Sequence, residues 1–247
     1  MYLASSADTP GGPDVTRYGA MNHRPAPPRL RAFPGLVLLA LALALFGWFV
    51  TDLVLQGPVT RADPGISNWF HGHMTAMVTF FMLAITQMHS TLGVIAMAVA
   101  TAIFLVLRGQ AQWLWLLIAC VPGGTALNAL IKLAFLRARP SFDHPLLVLD
   151  SFSFPSGHTA GATVWWGFFL VLVFAYRPHL RWRVAASCLA IGMVALTALS
   201  RVYLGVHYPS DVLAAVAEGC AWLAVCFMAV PYLNTRRPYD AARATHA

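Results

Sequence analysis

Residues 35–55 read GLVLLALALALFGWFVTDLVL, 21 residues in which Asp52 is the only charge. A helix rises about 1.5 Å per residue, so about 20 apolar residues cross a hydrocarbon core of about 30 Å. The run is long enough to span a bilayer. It is too long for a signal-peptide core and follows an overlong leader, so it reads as an uncleaved first membrane helix. The whole chain agrees with that reading. Of its 247 residues 59% are apolar and 10% charged, against roughly 45–50% and 25% in soluble domains. So little charge cannot cover a water-facing surface. A cytosolic enzyme, a disordered chain and a nucleic-acid binder are all excluded, despite a net charge of +7.

Further apolar runs at about 91–107, 111–135, 159–176, 184–200 and 211–230 bring the spans to six. The fold expected is all-α, a polytopic six-transmembrane helix bundle. Residues 67–89 mix Trp69, Phe70, His71, His73, Gln87 and His89 with apolar residues. They read as one or two interfacial helices between the first and second spans, with a seventh span as the alternative. Residues 1–33, rich in proline and arginine, read as a disordered basic tail. The membrane domain then covers 34–232 and a short second tail 233–247.

The basic residues are fifteen arginines and one lysine, Lys132. With the N-terminus inside, eleven arginines (17, 24, 29, 31, 108, 177, 181, 183, 236, 237 and 243) fall on cytoplasmic segments. Arg61, Lys132, Arg137, Arg139 and Arg201 fall on the other side. This bias places both termini in the cytoplasm of a multi-pass plasma membrane protein, a bacterial inner membrane in a bacterium. Cys120, Cys188, Cys220 and Cys226 lie in apolar runs without paired spacing, as small apolar fillers rather than a disulfide frame or metal site.

Three short segments combine charge, histidine and glycine at helix ends. The first runs from Lys132 to Arg139-Pro140; seven residues are two helical turns, which would put both cations on one face before the proline ends the helix. The second is Pro155-Ser156-Gly157-His158, opening the fourth span. The third is Ser200-Arg201, five residues, His207, three residues and Asp211. Six-span topology brings all three to one membrane face, the extracytoplasmic one. Lys132, Arg139 and Arg201 with a single nearby carboxylate make an anion site. Arginine forks suit phosphate oxygens, and the Ser156 hydroxyl and N–H groups opening the fourth helix add donors. Each segment alone has an ordinary reading: headgroup-snorkelling cations, a helix N-cap, interfacial histidines. All three would have to coincide on one face.

Together these segments resemble the tripartite signature of the type 2 phosphatidic acid phosphatase (PAP2) superfamily, matched at every signature position between residues 132 and 211. The six-span pattern extends the resemblance over about 35–230, and the hydrophobic composition favours its membrane lipid phosphatase branch. The resemblance implies a metal-independent hydrolase without cofactor, acting on a membrane lipid phosphate or diphosphate. It implies His207 as nucleophile forming a phosphohistidine, and His158 as general acid. Lys132, Arg139, Arg201, Ser156 and Gly157 would hold phosphate. Asp211, four residues after His207, can accept from one ring nitrogen and free the other to attack. Undecaprenyl diphosphate is the favoured substrate, ahead of phosphatidate, phosphatidylglycerophosphate and lipid A phosphates. A phosphotransferase with the same site and an anion transporter or channel are the alternatives; no nucleic acid or obligate protein partner is indicated.

Other residues carry weaker expectations. Arg137 reads as a contact to a second phosphate or as a headgroup anchor. Asp143, His144 and Asp150 read as a solvated loop, Tyr203 and Tyr208 as interfacial aromatics. His71, His73 and His89 are candidates for a lipid entrance. Gly157 and Gly161 form a small-residue step for close helix packing. Pro122-Gly123-Gly124 should kink the third span, and Asn128 beyond it needs a partner within the bundle.

Overall fold

The computed structural model of the protein describes residues 32–110, 113–177 and 179–234. Eight helices follow in order: α1 Ala32–Val54, α2 Pro58–Gly72, α3 Ala76–Met88, α4 Thr91–Leu107, α5 Leu114–Phe135, α6 Gly157–Tyr176, α7 Leu180–Tyr203 and α8 Pro209–Asn234. No strand occurs among the described residues. α1, α5, α6, α7 and α8 are each long and apolar enough to cross a membrane. α3 and α4 join at a bend of 52° and are together long and apolar enough for a sixth, broken span or a re-entrant loop. The all-α membrane helix bundle expected from the sequence is the fold observed, with five spans or, counting the bent pair as one, the expected six; the sixth then includes residues 76–88, which had been read as interfacial. The expected tails at 1–33 and 233–247 lie, but for two residues each, outside the described residues, as do the arginines within them.

The segment between the first and second spans is helical, with different bounds. α2 starts at Pro58, nine residues before the expected interfacial stretch. Pro58 suits a first helical turn, where its missing N–H costs nothing. The Asp52 carboxylate, reaching over from α1, accepts the N–H groups of Val59 (3.3 Å) and Thr60 (2.7 Å). α2 buries its polar residues Thr60, Asp63 and Ser67, spaced to share one face, and exposes Ile66 and Trp69. Its buried polar face meets protein, while Ile66 and Trp69 point outward beside Arg61 and Asn68.

α3 packs along α7. Tyr203, expected at the interface, is buried, and its hydroxyl accepts the N–H of Thr75 at 3.0 Å. At the α3–α4 bend His89 is buried among three helices. Its Nε2 accepts from the Trp166 indole N–H at 3.0 Å. An indole can only donate, so the imidazole proton sits on Nδ1, 3.1 Å from both Ile85 O and Thr197 Oγ. His71 and His73 instead stack on Phe142 and Trp69.

In the bundle α1 packs along α8, and α6 lies against α5, α7 and α8. Without a hydrophobic drive between helices in lipid, small residues set these contacts. Ala214, Ala215, Ala217, Ala221 and Ala224 are buried along α8, and Gly219 of α8 meets Thr163 and the backbone of Ala160 on α6. α5 runs on through Pro122. The Trp222 indole N–H donates to Ala119 O and Cys120 O at 3.1 Å each, supplying a donor beside the proline that lacks one. Asn128 finds the expected partner: its Nδ2 donates to Glu218 Oε2 at 2.9 Å. The four cysteines are free.

Candidate active site

Lys132 lies in the last turn of α5, which ends at Phe135 rather than at Pro140. Leu136 adopts a left-handed conformation (φ 49°) that turns the chain out of the helix. Arg139 therefore does not share a helical face with Lys132, as the seven-residue spacing had implied. It comes back to the site through an extended segment. There all five of its N–H groups are engaged. Nε meets Ser151 O (2.6 Å), Nη2 meets Ser151 Oγ (2.9 Å) and Phe152 O (3.3 Å), and Nη1 meets Val206 O (2.5 Å) and His207 Nε2 (3.1 Å). Lys132 Nζ donates to Phe152 O at 2.7 Å. Backbone oxygens thus fix both cations without neutralising them.

Arg201, in the last turn of α7, is 2% exposed. Its Nη1 donates to Thr86 Oγ of α3 at 2.5 Å, and its Nε has no partner. Among the described residues the ion pairs are Arg137 with Asp63 and with Asp211, and His207 with Asp211. Lys132, Arg139 and Arg201 have no carboxylate.

His207 sits between α7 and α8 after a turn at Gly205. That glycine has φ 70°, and a Cβ there would come within 2.7 Å of the Phe142 ring, so both conformation and space require glycine. His207 Nδ1 is 3.4 Å from Asp211 Oδ2. The same oxygen accepts the Ser153 hydroxyl at 2.5 Å and the Tyr208 N–H at 2.9 Å. With Nδ1 turned to the carboxylate, Nε2 is the nitrogen that faces the cations. Burial pushes the His207 pKa down to about 3; Asp211 opposes the shift, while Arg139 and Arg201 add to it. The imidazole is therefore neutral at physiological pH, and its Nε2 lone pair accepts from Arg139.

α6 opens beside this group. The Ser156 N–H donates to Asp211 O at 3.1 Å, and its hydroxyl oxygen accepts from Thr159 Oγ at 3.1 Å, keeping its own proton to donate. A Cβ on Gly157 would lie 3.2 Å from Asn128 Oδ1, which explains glycine where α6 meets α5. Gly161 faces Val94 of α4 at ordinary contact distance. A cavity of about 870 Å³ has Lys132, Arg139, His158, Arg201 and His207 at one end. Its walls continue down α4, α5 and α6 through apolar residues such as Val94, Ala98, Leu117 and Val121. His89 also lines it; His71 and His73 do not.

Arg137 is brought against Asp211 and not into the cavity lining. Its two Nη atoms are held by Asp63 and Asp211, and burial, which would lower its pKa, is outweighed by those carboxylates. Asp143, His144 and Asp150 are exposed, as a solvated loop should be. No group of three or more His, Cys, Asp or Glu side chains suited to a metal occurs among the described residues.

The family model for the PAP2 superfamily matches residues 112–235, half of the chain. The chain belongs to the PAP2 superfamily. Among its relatives, phosphatidylglycerophosphatase B of Bacillus subtilis (strain 168) is 37% identical over 94 residues, 38% of this chain and 46% of that protein. Decaprenylphosphoryl-5-phosphoribose phosphatase of Mycobacterium tuberculosis (strain ATCC 25618 / H37Rv) is 36% identical over 99 residues, 38% of this chain and 48% of that protein. The chain spans about half the length of the curated relatives it matches. The crystal structure of a transmembrane PAP2-type phosphatidylglycerolphosphate phosphatase from Bacillus subtilis superposes with a TM-score of 0.65. The two are 27% identical over 82% of this chain and 96% of that one.

Within this PAP2 chain three contributors escaped the sequence reading. Ser153 lies two residues before the Pro155 quartet with nothing in its spacing to mark it. Thr86 and Asp63 lie on α3 and α2, outside the stretch the family model matches. Asp63 did carry a signal: with Thr60 and Ser67 it makes a polar face on a membrane-associated helix.

Proposed function

We propose that the protein is an integral membrane lipid phosphatase that transfers a phosphoryl group from a lipid to His207 and then to water, with no metal. The observation that carries this reading is Arg201, a nearly fully buried guanidinium without a carboxylate, beside two more cations held only by neutral acceptors. Uncompensated buried charge is costly. One such charge together with two half-buried ones, all lining one cavity, marks the seat of a multiply charged anion. The apolar walls below them suit the chain of a lipid, and the names of the relatives support a phosphate ester as the head.

The steps follow from the atoms. Phosphate oxygens take the N–H groups of Lys132, Arg139 and Arg201, whose charge stabilises the five-coordinate transition state. His207 Nε2 attacks phosphorus, and Asp211 holds Nδ1–H so that the ring keeps the right tautomer and orientation. The bond to the lipid oxygen breaks, and His158 supplies its proton. His158 then takes a proton from water as that water attacks the phosphohistidine, releasing inorganic phosphate. The fixed cations do the work a divalent ion does in other phosphatases, and would repel one.

The head group is a phosphate or diphosphate. Undecaprenyl diphosphate is the substrate favoured by the sequence. With Arg137 engaged elsewhere, the three cations without a carboxylate partner match a single terminal phosphate, which favours monoesters such as phosphatidate and phosphatidylglycerophosphate. The arginine bias supports a site on the extracytoplasmic face with both termini inside. The membrane domain at 34–232, between two short tails, is the catalytic unit in this reading.

Phosphate release by purified protein from those three lipids and from lipid A, with and without EDTA, tests the proposal. Release from at least one lipid, undiminished by EDTA and absent in a folded His207→Ala variant, is expected. Full activity in that variant would overturn the assignment. Transfer of phosphate to another lipid in place of release would indicate the phosphotransferase.

A further inference from the structure

Asp211 contacts His207, and Asp211 is itself held by Arg137, which Asp63 of α2 holds from the other side. Arg137 Nη1 donates at 2.6 Å to Asp211 Oδ1, the oxygen that His207 does not touch. Arg137 Nη2 donates at 2.8 Å to Asp63 Oδ2. Asp63 is fully buried and also takes the Ser210 N–H on Oδ1 at 3.0 Å and the Ser210 hydroxyl on Oδ2. Ser210 precedes Asp211 in the chain, so Asp63 grips both the backbone and, through Arg137, the side chain of the orienting residue. The Tyr208 ring lies 4.4 Å from the guanidinium centre and closes one side of the arginine. α2 is in turn clamped by Asp52 at its start.

Charge explains why two carboxylates are needed. Arg137 between Asp63 and Asp211 leaves one net negative charge, and that charge faces His207. Without Asp63 the guanidinium would act on Asp211 alone. The pair would be neutral and the carboxylate drawn toward Arg137, away from the 3.4 Å contact with Nδ1. An ordinary buried ion pair that merely fastens α2 to the bundle would have no such dependence on which oxygen is held.

We propose that Asp63, acting through Arg137, is a positioning residue that keeps the Asp211 carboxylate on His207 Nδ1 and so keeps Nε2 aimed at phosphorus. This rests on the phosphatase reading above. α2 becomes a working part of the active site although it lies outside the matched PAP2 stretch.

The test compares two anions on detergent-purified wild type, Asp63→Asn and Asp63→Glu. Vanadate forms a bond to the nucleophilic nitrogen in a five-coordinate adduct, whereas sulfate meets the cations alone. In Asp63→Asn, vanadate affinity and kcat are expected to fall tenfold or more, with sulfate affinity and KM within twofold of wild type. Asp63→Glu, which restores the charge, should recover vanadate affinity to within threefold. If Asp63→Asn fails to fold, Arg137→Lys, which keeps the charge without the two-ended bridge, should show the same split. Unchanged vanadate affinity would overturn the proposal, as would equal losses for vanadate and sulfate. Wild-type protein that binds sulfate but not vanadate would refute His207 as nucleophile, and the functional reading would fall with it.

Discussion

Arg139 Nη1 donates to His207 Nε2 at 3.1 Å, so the nitrogen proposed as the nucleophile is covered by one of the cations proposed to bind phosphate. On the proposed mechanism, substrate takes that N–H from the imidazole. Exchanging it for a phosphate oxygen uncovers the lone pair in the same motion.

Arg139→Lys therefore removes more than a charge contact. A lysine cannot reach Ser151, Phe152, Val206 and the phosphate together. Losing a preformed donor to the transition state costs about 10²–10³-fold in kcat. Phosphate-release kinetics on the best lipid measure this, and a loss below tenfold would show that Arg139 has no part in transition-state binding.

Ser153 holds the oxygen of Asp211 that faces His207. Hydrogen bonds to charged groups contribute about 1.5–3 kcal/mol. Ser153→Ala is expected to lower kcat roughly ten- to a hundredfold with little change in KM, because the hydroxyl meets Asp211 and not the cavity. A raised KM with unchanged kcat would contradict this.

Burial of neutral His207 links stability to pH. Its pKa in the folded protein is about 3, below the ordinary value of 6.5. The unfolded chain therefore takes up a proton near pH 6.5 that the folded protein refuses, and stability falls as pH drops from there toward 3. Thermal unfolding in detergent should show wild type losing stability relative to His207→Gln between pH 7 and 4. A constant difference over that range would indicate that His207 takes up its proton as readily in the fold as in the unfolded chain.

The apolar walls of the cavity should discriminate by chain. Ala98→Phe places a ring in the wall formed by α4. It is expected to raise KM for long-chain lipid phosphates about tenfold or more while changing turnover of a soluble phosphate ester less than twofold. Equal effects on both substrates would place the lipid chain elsewhere.

What the sequence revealed depends on how each feature is encoded. Spans follow from apolar length, so 35–55 and the later runs were legible. The cations and histidines of the site stood out because charge is scarce in a membrane chain. The limits of that reading have equally specific causes. Lys132 and Arg139 were placed on one helical face because the spacing fits. The left-handed turn at Leu136 breaks the helix first, and tertiary contacts restore the pair. α2 began early because its cap, Asp52, lies within the preceding span, where nothing in the pattern marks it as a cap. Arg137 stood among cations and was read with them. Its partner Asp63 is 74 residues away, a separation no local pattern reports.

The cavity grips a lipid in two unlike ways, by charge at one end and by apolar walls along the rest. On the proposed reaction, hydrolysis parts the two. The freed alcohol keeps only contacts that the surrounding bilayer offers equally well, so nothing retains it. The inorganic phosphate keeps all three cations. The departing ion, not the departing lipid, then governs how soon the site is vacant, and turnover becomes a reporter of phosphate concentration in the compartment that the site faces.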